Sequence, residues 1–496
     1  MLVCCLVALA ARSACALQEP KTNSTPIGVV SSLAQLEPTA SEQIPRWFES
    51  SDFTDRLRAV EIENANLRAE LTELRNGKRS VNEVWKLSTL EDNSLDEGVI
   101  QAHDDQCGCT ICCQETNNPQ EAACVDCPRV TMLGNHFSAE VFGTLKLDML
   151  FNTARPQPPG SPFYLRNRRP LENNDNVLSI HARASLLGLK LNGPPIGDFQ
   201  SGGIATVFFF NDSVSEDKYG ILPLNVWGEL RNDDWRFSAG LQLGVFNSRN
   251  PTMLVWGALG SSGNSGNVYK GQVRIERYIN PSEDSQWTYK LALTEPVTTL
   301  INDELSINED NGWPNIESRL SYGVGPAEGG LIKQRPFEIG VSGLIGQVRT
   351  EPVGSAEVVA NTWGVGTDLH WETNDRTGIN AEFFTGQGLG SYTAGIAQTT
   401  NTVTFNSIRT TGGFVELYHF LKPQLHTHFG FGIDDPIDRD LDPSQRTRNQ
   451  TYFSNLIWDV TPLFRVGFEV TWRETNYIAL IDNEGAGFHT QFQWKF

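Results

Sequence analysis

The chain has 496 residues, a formal net charge of −20 and a mean hydropathy of −0.31. The acidic balance lacks the basic footprint that nucleic-acid binding needs. Beyond the N-terminus no run of about 18 apolar residues offers a transmembrane helix. Yet 44 Gly, 26 Phe and 12 Trp are present, and a membrane β-barrel hides such residues by alternating apolar-out and polar-in positions.

Residues 1–16 read as a secretory signal. Leu2 to Ala11 is apolar and Ala14-Cys15-Ala16 is a small-residue cleavage site, although Arg12 is the segment's one charge. Residues 17–50 carry Ser, Thr, Pro and Gln with little periodicity, which predicts a flexible lead-in. Over 51–77, Phe53, Leu57, Val60, Asn64, Leu67, Leu71 and Leu74 are spaced alternately by four and three. That is a heptad seam, ended by Asn76-Gly77, and it predicts a short coiled-coil helix. Asn64 takes a seam position that sets register and strand number. So short a helix gains most by associating, with itself or with the chain's own barrel.

Residues 78–135 form a Cys-rich linker with Cys107, Cys109, Cys112, Cys113, Cys124 and Cys127. The pairs Cys109/Cys112 and Cys124/Cys127 have zinc-knuckle spacing. An exported chain meets an oxidising compartment, however, where disulfides are the expectation. The connectivity cannot be read from the sequence, and no catalytic role is required of the cluster.

From residue 136 to 496 one unit repeats: an alternating strand, then a connection. In 136–151, Val141, Leu145, Leu147 and Met149 face one way and Thr144, Lys146 and Asp148 the other. In 177–191, Leu178, Ile180, Ala182 and Leu186 oppose Ser179, His181, Arg183 and Ser185. Segments 235–246, with Val245 on the apolar face, and 464–473 alternate likewise. The final stretch sets Phe488, Phe492, Trp494 and Phe496 against His489, Gln491, Gln493 and Lys495. The expectation is an all-β fold, a transmembrane antiparallel barrel of about 16 strands. Connection lengths support it. Segments 192–198, 231–234, 421–424 and 461–463 are short. Segments 152–176, 247–267, 296–313, 386–409, 434–449 and 474–487 are long. Periplasmic turns and extracellular loops produce this rhythm, whereas a propeller or sandwich spaces its turns evenly.

The inward face mixes Lys146, Arg183, Arg231, Arg236, Arg274, Lys290, Arg319, Arg465 and Arg473 with Asp148, Glu229, Glu276, Glu317, Glu338, Asp368, Glu382, Glu416 and Glu469. Charged rings in a wet channel set ion preference, while neighbouring opposite charges merely keep the lumen hydrated. The first long connection adds Arg155, Arg166, Arg168 and Arg169, a cationic mouth that concentrates anions or pairs with lipid phosphates. Arg249 in the third long connection is the candidate constriction residue. His426 and His428 share a strand face that could ligate a metal, but lumen or girdle histidines are the expectation, and no metal or other cofactor is called for. No GxSxG elbow and no Walker or dinucleotide motif in a strand–helix context is present, so the sequence reads as a non-enzyme.

Phe142-Gly-Thr-Leu-Lys-Leu-Asp148, His181-Ala-Arg183, Leu224-Asn-Val-Trp-Gly-Glu-Leu-Arg231 and Leu241-Gln-Leu-Gly-Val-Phe246 resemble the DcaP-like trimeric outer-membrane porins over most of residues 50–496. The resemblance implies a periplasmic coiled coil joining three 16-stranded barrels. It also implies basic lumen residues that favour small anions such as dicarboxylates, here Lys146, Arg183, Arg231 and Arg249. The six-cysteine insert departs from that pattern, as does the near balance of inward acids and bases. The expected function is passive diffusion of small hydrophilic solutes through an outer membrane by a homotrimer in contact with outer-membrane lipid. The alternatives are a carbohydrate porin, using Tyr164 or Trp227 to stack sugars, and a structural envelope anchor with a plugged barrel.

Overall fold

A computed structural model describes residues 130–132, 137–169, 175–210, 219–266, 268–296, 307–309, 312–327, 330–351 and 358–496. The signal, the lead-in, the coiled coil with Asn64 and the linker cysteines Cys107, Cys109, Cys112, Cys113, Cys124 and Cys127 lie outside the described residues.

Among the described residues sixteen strands close one antiparallel barrel. They are β1 Ser138–Asn152, β2 Val177–His181 with Leu186–Ile196, β3 Phe199–Phe210, β4 Tyr219–Arg231, β5 Trp235–Leu243, β6 Tyr269–Ser282, β7 Ser285–Thr294 and β8 Asn315–Val324. The second half comprises β9 Phe337–Glu351, β10 Val358–Asn374, β11 Thr377–Gln387, β12 Arg409–Lys422, β13 Leu425–Pro436, β14 Arg446–Thr461, β15 Phe464–Tyr477 and β16 Asn483–Lys495. Closure comes from β1, which pairs with β2 through Asp148↔His181 and with β16 through Asp148↔Gln491. Beyond β16, Phe496 exchanges backbone hydrogen bonds of 3.0 and 3.1 Å with Gly143. A Cβ at Gly143 would sit 2.7 Å from the Phe496 ring and 2.6 Å from the Leu186 carbonyl, so only glycine fits beneath the terminal aromatic.

Period-two alternation puts one face of each strand in lipid. Val141, Leu145, Ile221, Val273, Val341, Val365, Val415, Phe468 and Val470 are all exposed on the outside. Trp235, Trp287, Trp371, Trp458 and Trp494 cluster near the short-turn end, and Trp363, Tyr452 and Trp472 lie towards the other, as in the aromatic girdles of a membrane barrel. Among the described residues no helix is long and apolar enough to cross a membrane, which has no bearing on strands.

Three sequence expectations need correction. On β2 the alternation does not run through. Asp148 opposes His181 while Thr144 opposes Leu186, so the second strand holds one extra residue across 182–185. This bulge flips the facing. Leu187 and Leu191 are exposed outside, and Leu186, expected outside, turns inward. On β5 the strand stops at Leu243, and Val245, expected on the lipid face, is buried inside with Phe246. The long connection expected at 474–487 shrinks to 478–482, because β15 and β16 continue further than their apolar residues suggest. The long-short rhythm otherwise holds, except that residues 325–336, at the short-turn end between β8 and β9, are unusually long.

Candidate channel interior

The third connection, described over residues 244–266, turns into the barrel and follows its inner wall. Four buried wall carboxylates hold it by its backbone. Glu317 on β8 accepts from the N–H groups of Val245 (2.7 Å) and Phe246 (3.1 Å). Glu382 on β11 accepts from Arg249 N (3.2 Å), Glu416 on β12 from Thr252 N (3.1 Å) and Glu469 on β15 from Leu254 N (3.0 Å). Amide side chains serve the intervening carbonyls: Asn380 donates to Asn250 O, Asn455 to Thr252 O and Gln491 to Leu254 O. Non-helical backbone away from water needs such partners. These inward acids, read from sequence as ring charges, therefore spend their lone pairs on the loop.

Arg249 sits in this arrangement with its charge engaged. Its guanidinium pairs with Asp368, with Glu338 at 3.1 Å, and donates to Gln334 Oε1 at 2.8 Å. Arg319 binds the same two carboxylates, at 2.7 Å from Asp368 and 2.6 Å from Glu338. Arg236 pairs with Glu229 and, at 2.6 Å, with Glu276, and stacks over Trp227 with 4.7 Å to the ring centre. Arg274 is buried against Gln272 and Glu276. Arg183 is buried at the β2 bulge beside Ser179, over the Phe210 ring and beneath Gly160 of the first loop. Arg231 is exposed at the short-turn end of β4. Lys146 has Asp148, Arg465 and Lys495 as its charged neighbours.

Towards the long-loop mouth three connections interlock. The first loop buries Phe163 and Tyr164 with Phe208, Phe210 and Ile396, and Trp256 at the tip of the third loop packs against them. Phe246, Phe384, Leu389 and Tyr392 form a second apolar seam. Lys270 Nζ lies 3.3 Å from the centre of the Tyr392 ring, and the Tyr392 hydroxyl donates to Glu317 at 2.9 Å. Burial, reinforced by the Glu317 charge, pushes that hydroxyl well above its ordinary range, so it stays a donor. Tyr164 is stacked under Arg446 at 4.1 Å and does not present a bare face to a sugar. Of the loop-one cations, Arg155 pairs with Asp175 at 3.2 Å, Arg166 donates to Gln157, and Arg166, Arg168 and Arg169 are exposed.

His426 and His428 do face inward. They form a wire in which Glu416 Oε1 lies 2.6 Å from His428 Nδ1, and His428 Nε2 lies 2.7 Å from His426 Nδ1. Asp459 stands 3.7 Å from His426 and binds Arg465 through both oxygens at 2.7 and 2.8 Å. Among the described residues no His, Cys, Asp and Glu cluster is arranged to hold a metal ion.

A closed sixteen-stranded barrel with a lipid-facing belt, short turns at one end and an inward third loop defines the porin-type β-barrel class. The structure is similar to the outer membrane channel DcaP of Acinetobacter baumannii, with a TM-score of 0.57 at 16% identity, covering 73% of this chain and 98% of that one. It also matches the anion-selective porin from Comamonas acidovorans (TM-score 0.47, 10% identity, 73% and 100% covered) and OmpT of Vibrio cholerae (TM-score 0.45, 10% identity, 74% and 99% covered). No protein-family model and no curated protein matches the chain. The resemblance to DcaP-like porins read from the sequence holds at the level of fold.

Proposed function

We propose that this barrel is an outer-membrane channel for passive diffusion of small hydrophilic solutes, favouring small anions such as dicarboxylates. One observation carries the anion preference. Lys146, Arg465 and Lys495, on neighbouring strands β1, β15 and β16, form a group on the inner wall. Arg465 and Lys495 keep 27% and 36% of their side-chain surface open. Asp459 is shared between those two, while Asp148 is engaged by His489 and Gln491. Three cations beside two carboxylates, Asp459 and Asp148, leave one net positive charge on this stretch of wall, and such a stretch raises the local anion concentration. Arg166, Arg168 and Arg169 at the far mouth act in the same sense.

The chain is taken to reside in the outer membrane with its N-terminal region in the periplasm, the cysteine linker stapled by disulfides, and three copies assembled. The outward faces of β1 to β3 carry no Trp or Tyr, and Gly203, Ala205, Gly228 and Ala239 leave a low-relief patch on β3 to β5. That suits a copy of the chain better than a lipid interface. The apolar seams among the first loop, the third loop and the connection 388–408 favour one second reading, a plugged envelope anchor. Planar-bilayer recording on the purified chain separates the two. A channel gives ohmic steps and an anion-directed reversal potential in a salt gradient, and an anchor gives no current.

A further inference from the structure

At the short-turn mouth the β2–β3 and β4–β5 turns, the adjoining ends of β6 and β7 and the connection between β8 and β9 enclose an open cavity of about 910 Å³. Two arginines line it. Arg231 follows Glu229 on the inner face of β4, and Arg335 belongs to the β8–β9 connection. Neither is neutralised as Arg236, Arg249 and Arg319 are. Among the described residues Arg231 has no carboxylate partner, and Arg335 donates to two uncharged oxygens, Gln286 Oε1 at 2.9 Å and the Gly325 carbonyl. The neighbouring amides are oriented by a chain of contacts. Gln286 Oε1 accepts from Arg335, so its Nε2 is the group that meets Asn280 Oδ1, at 2.9 Å, and Asn280 keeps its Nδ2 donor. Asn232 Oδ1 accepts from the N–H groups of Asp234 and Trp235 at 3.0 and 2.8 Å, which leaves its Nδ2 likewise. Around the two guanidinium groups the amide oxygens are therefore occupied and N–H donors remain. Acceptors lie on the turn side of the cavity. Gln200 donates to the Gly193 and Ser201 carbonyls and keeps its Oε1, and Asp198 and Asp233 are exposed on the turn tips.

We propose that this cavity is a binding station for small hydroxylated carboxylates, the sugar-acid class, with Arg231 and Arg335 on the carboxylate and Asp198 and Asp233 accepting from the hydroxyls. Each part of the lining decides something. Guanidinium groups without a counter-charge favour a carboxylate, which their planar forks grip through paired N–H bonds. Donors on one side and acceptors on the other suit hydroxyls, which are both at once. A second carboxylate would meet the two aspartates, so a dicarboxylate binds this station less well than a sugar acid of similar size. The inference deepens the diffusion reading, on which the station's place at the end of a solute path rests; the binding itself does not depend on it.

Binding is read without any current, by saturation-transfer NMR on the folded, detergent-solubilised full chain. The probes are gluconate, succinate and the neutral polyol sorbitol. Gluconate should give a saturable signal, succinate a weaker one and sorbitol none. Arg231→Gln should weaken gluconate binding about ten-fold, the scale of one lost charge-assisted hydrogen bond. Arg231 makes no ion pair among the described residues, so this variant should keep the wild-type heat-modifiable mobility on gels. Arg335→Gln should weaken binding by a similar factor, and Lys422→Gln, on an exposed turn of the same rim, should leave it unchanged. Equal gluconate binding by wild type and folded Arg231→Gln overturns the station, as does the absence of a saturable signal in the wild type. Succinate or sorbitol binding as tightly as gluconate overturns the assigned class. A chain that binds gluconate but passes no current would sink the diffusion reading and leave the station in place. An anion-directed current without saturable gluconate binding would do the reverse.

Discussion

Arg249→Ala separates a bare eyelet cation from the engaged one described above. The side chain binds Asp368, Glu338 and Gln334, and its loss strands carboxylates that are partly buried. Removing one member of a buried charge network costs about 3–5 kcal/mol. Arg319 still holds both Asp368 and Glu338, which brings the expectation nearer to about 2 kcal/mol, the scale of one or two charge-assisted hydrogen bonds. The loop itself should stay docked, because the backbone N–H groups of residues 245, 246, 249, 252 and 254 keep their carboxylates. Electrically, the pair of arginines and pair of carboxylates passes from balance to one excess negative charge. At roughly 10 Å from a passing ion that is worth about 0.4 kcal/mol in water, or a factor of about two in anion preference. The assay is paired: urea unfolding in lipid for stability, and single-channel recording for conductance and reversal potential. Lowered stability with near-normal conductance is expected. A large rise in conductance with stability unchanged would mean that Arg249 is a free constriction cation and would refute the reasoning.

Other expectations follow from the same contacts. Glu416→Gln keeps an acceptor for Thr252 N and should leave current noise low, whereas Glu416→Leu orphans that N–H and His428 and should cost about 1–3 kcal/mol and produce flickering currents. Gly143→Ala should weaken barrel closure, since a methyl group there meets the Phe496 ring and the Leu186 carbonyl; the heat-modifiable band on gels should melt several degrees lower. At the long-loop face, the hydrogen bonds and charge of Arg409 hold the Asp440 carboxyl below the usual range. A depressed pKa in the folded state gives stability that is present above the unfolded value of about 4 and lost as pH falls through the folded value. Residues 437–445 should therefore resist pepsin at pH 5 and become nicked only below about pH 4, while Asp440→Asn should be nicked at both.

The barrel was legible because lipid and water impose opposite demands on adjacent residues, and that demand is written in period two. Phe488 to Phe496 could be assigned a face from sequence alone. The β2 bulge was not legible, because Ala182 to Ser185 carry no signal that one residue is extra, and every facing after it is shifted. Inward placement of Glu317, Glu382, Glu416 and Glu469 was readable. Their attachment to the third loop was not, because it depends on which strands lie beneath a chain many residues distant. The same holds for Arg249 and Arg319, which meet on Asp368 only through barrel closure and register. Val245 continued the apolar face of β5 and gave no warning that the chain turns inward at Gly244. The Gly and Pro residues around 325–336 marked a loop, but nothing local stated that its tip bonds to Glu372 on β10 and to Arg249 of the third loop.

The account rests most directly on ion flow through the purified, folded chain in a planar bilayer under a tenfold salt gradient, with Lys146, Arg465 and Lys495 intact and then replaced together by Ser. Ohmic steps with an anion-directed reversal potential that collapses in the triple variant are predicted. Silence of the intact chain, or a cation-directed potential that the triple variant leaves unchanged, would contradict it.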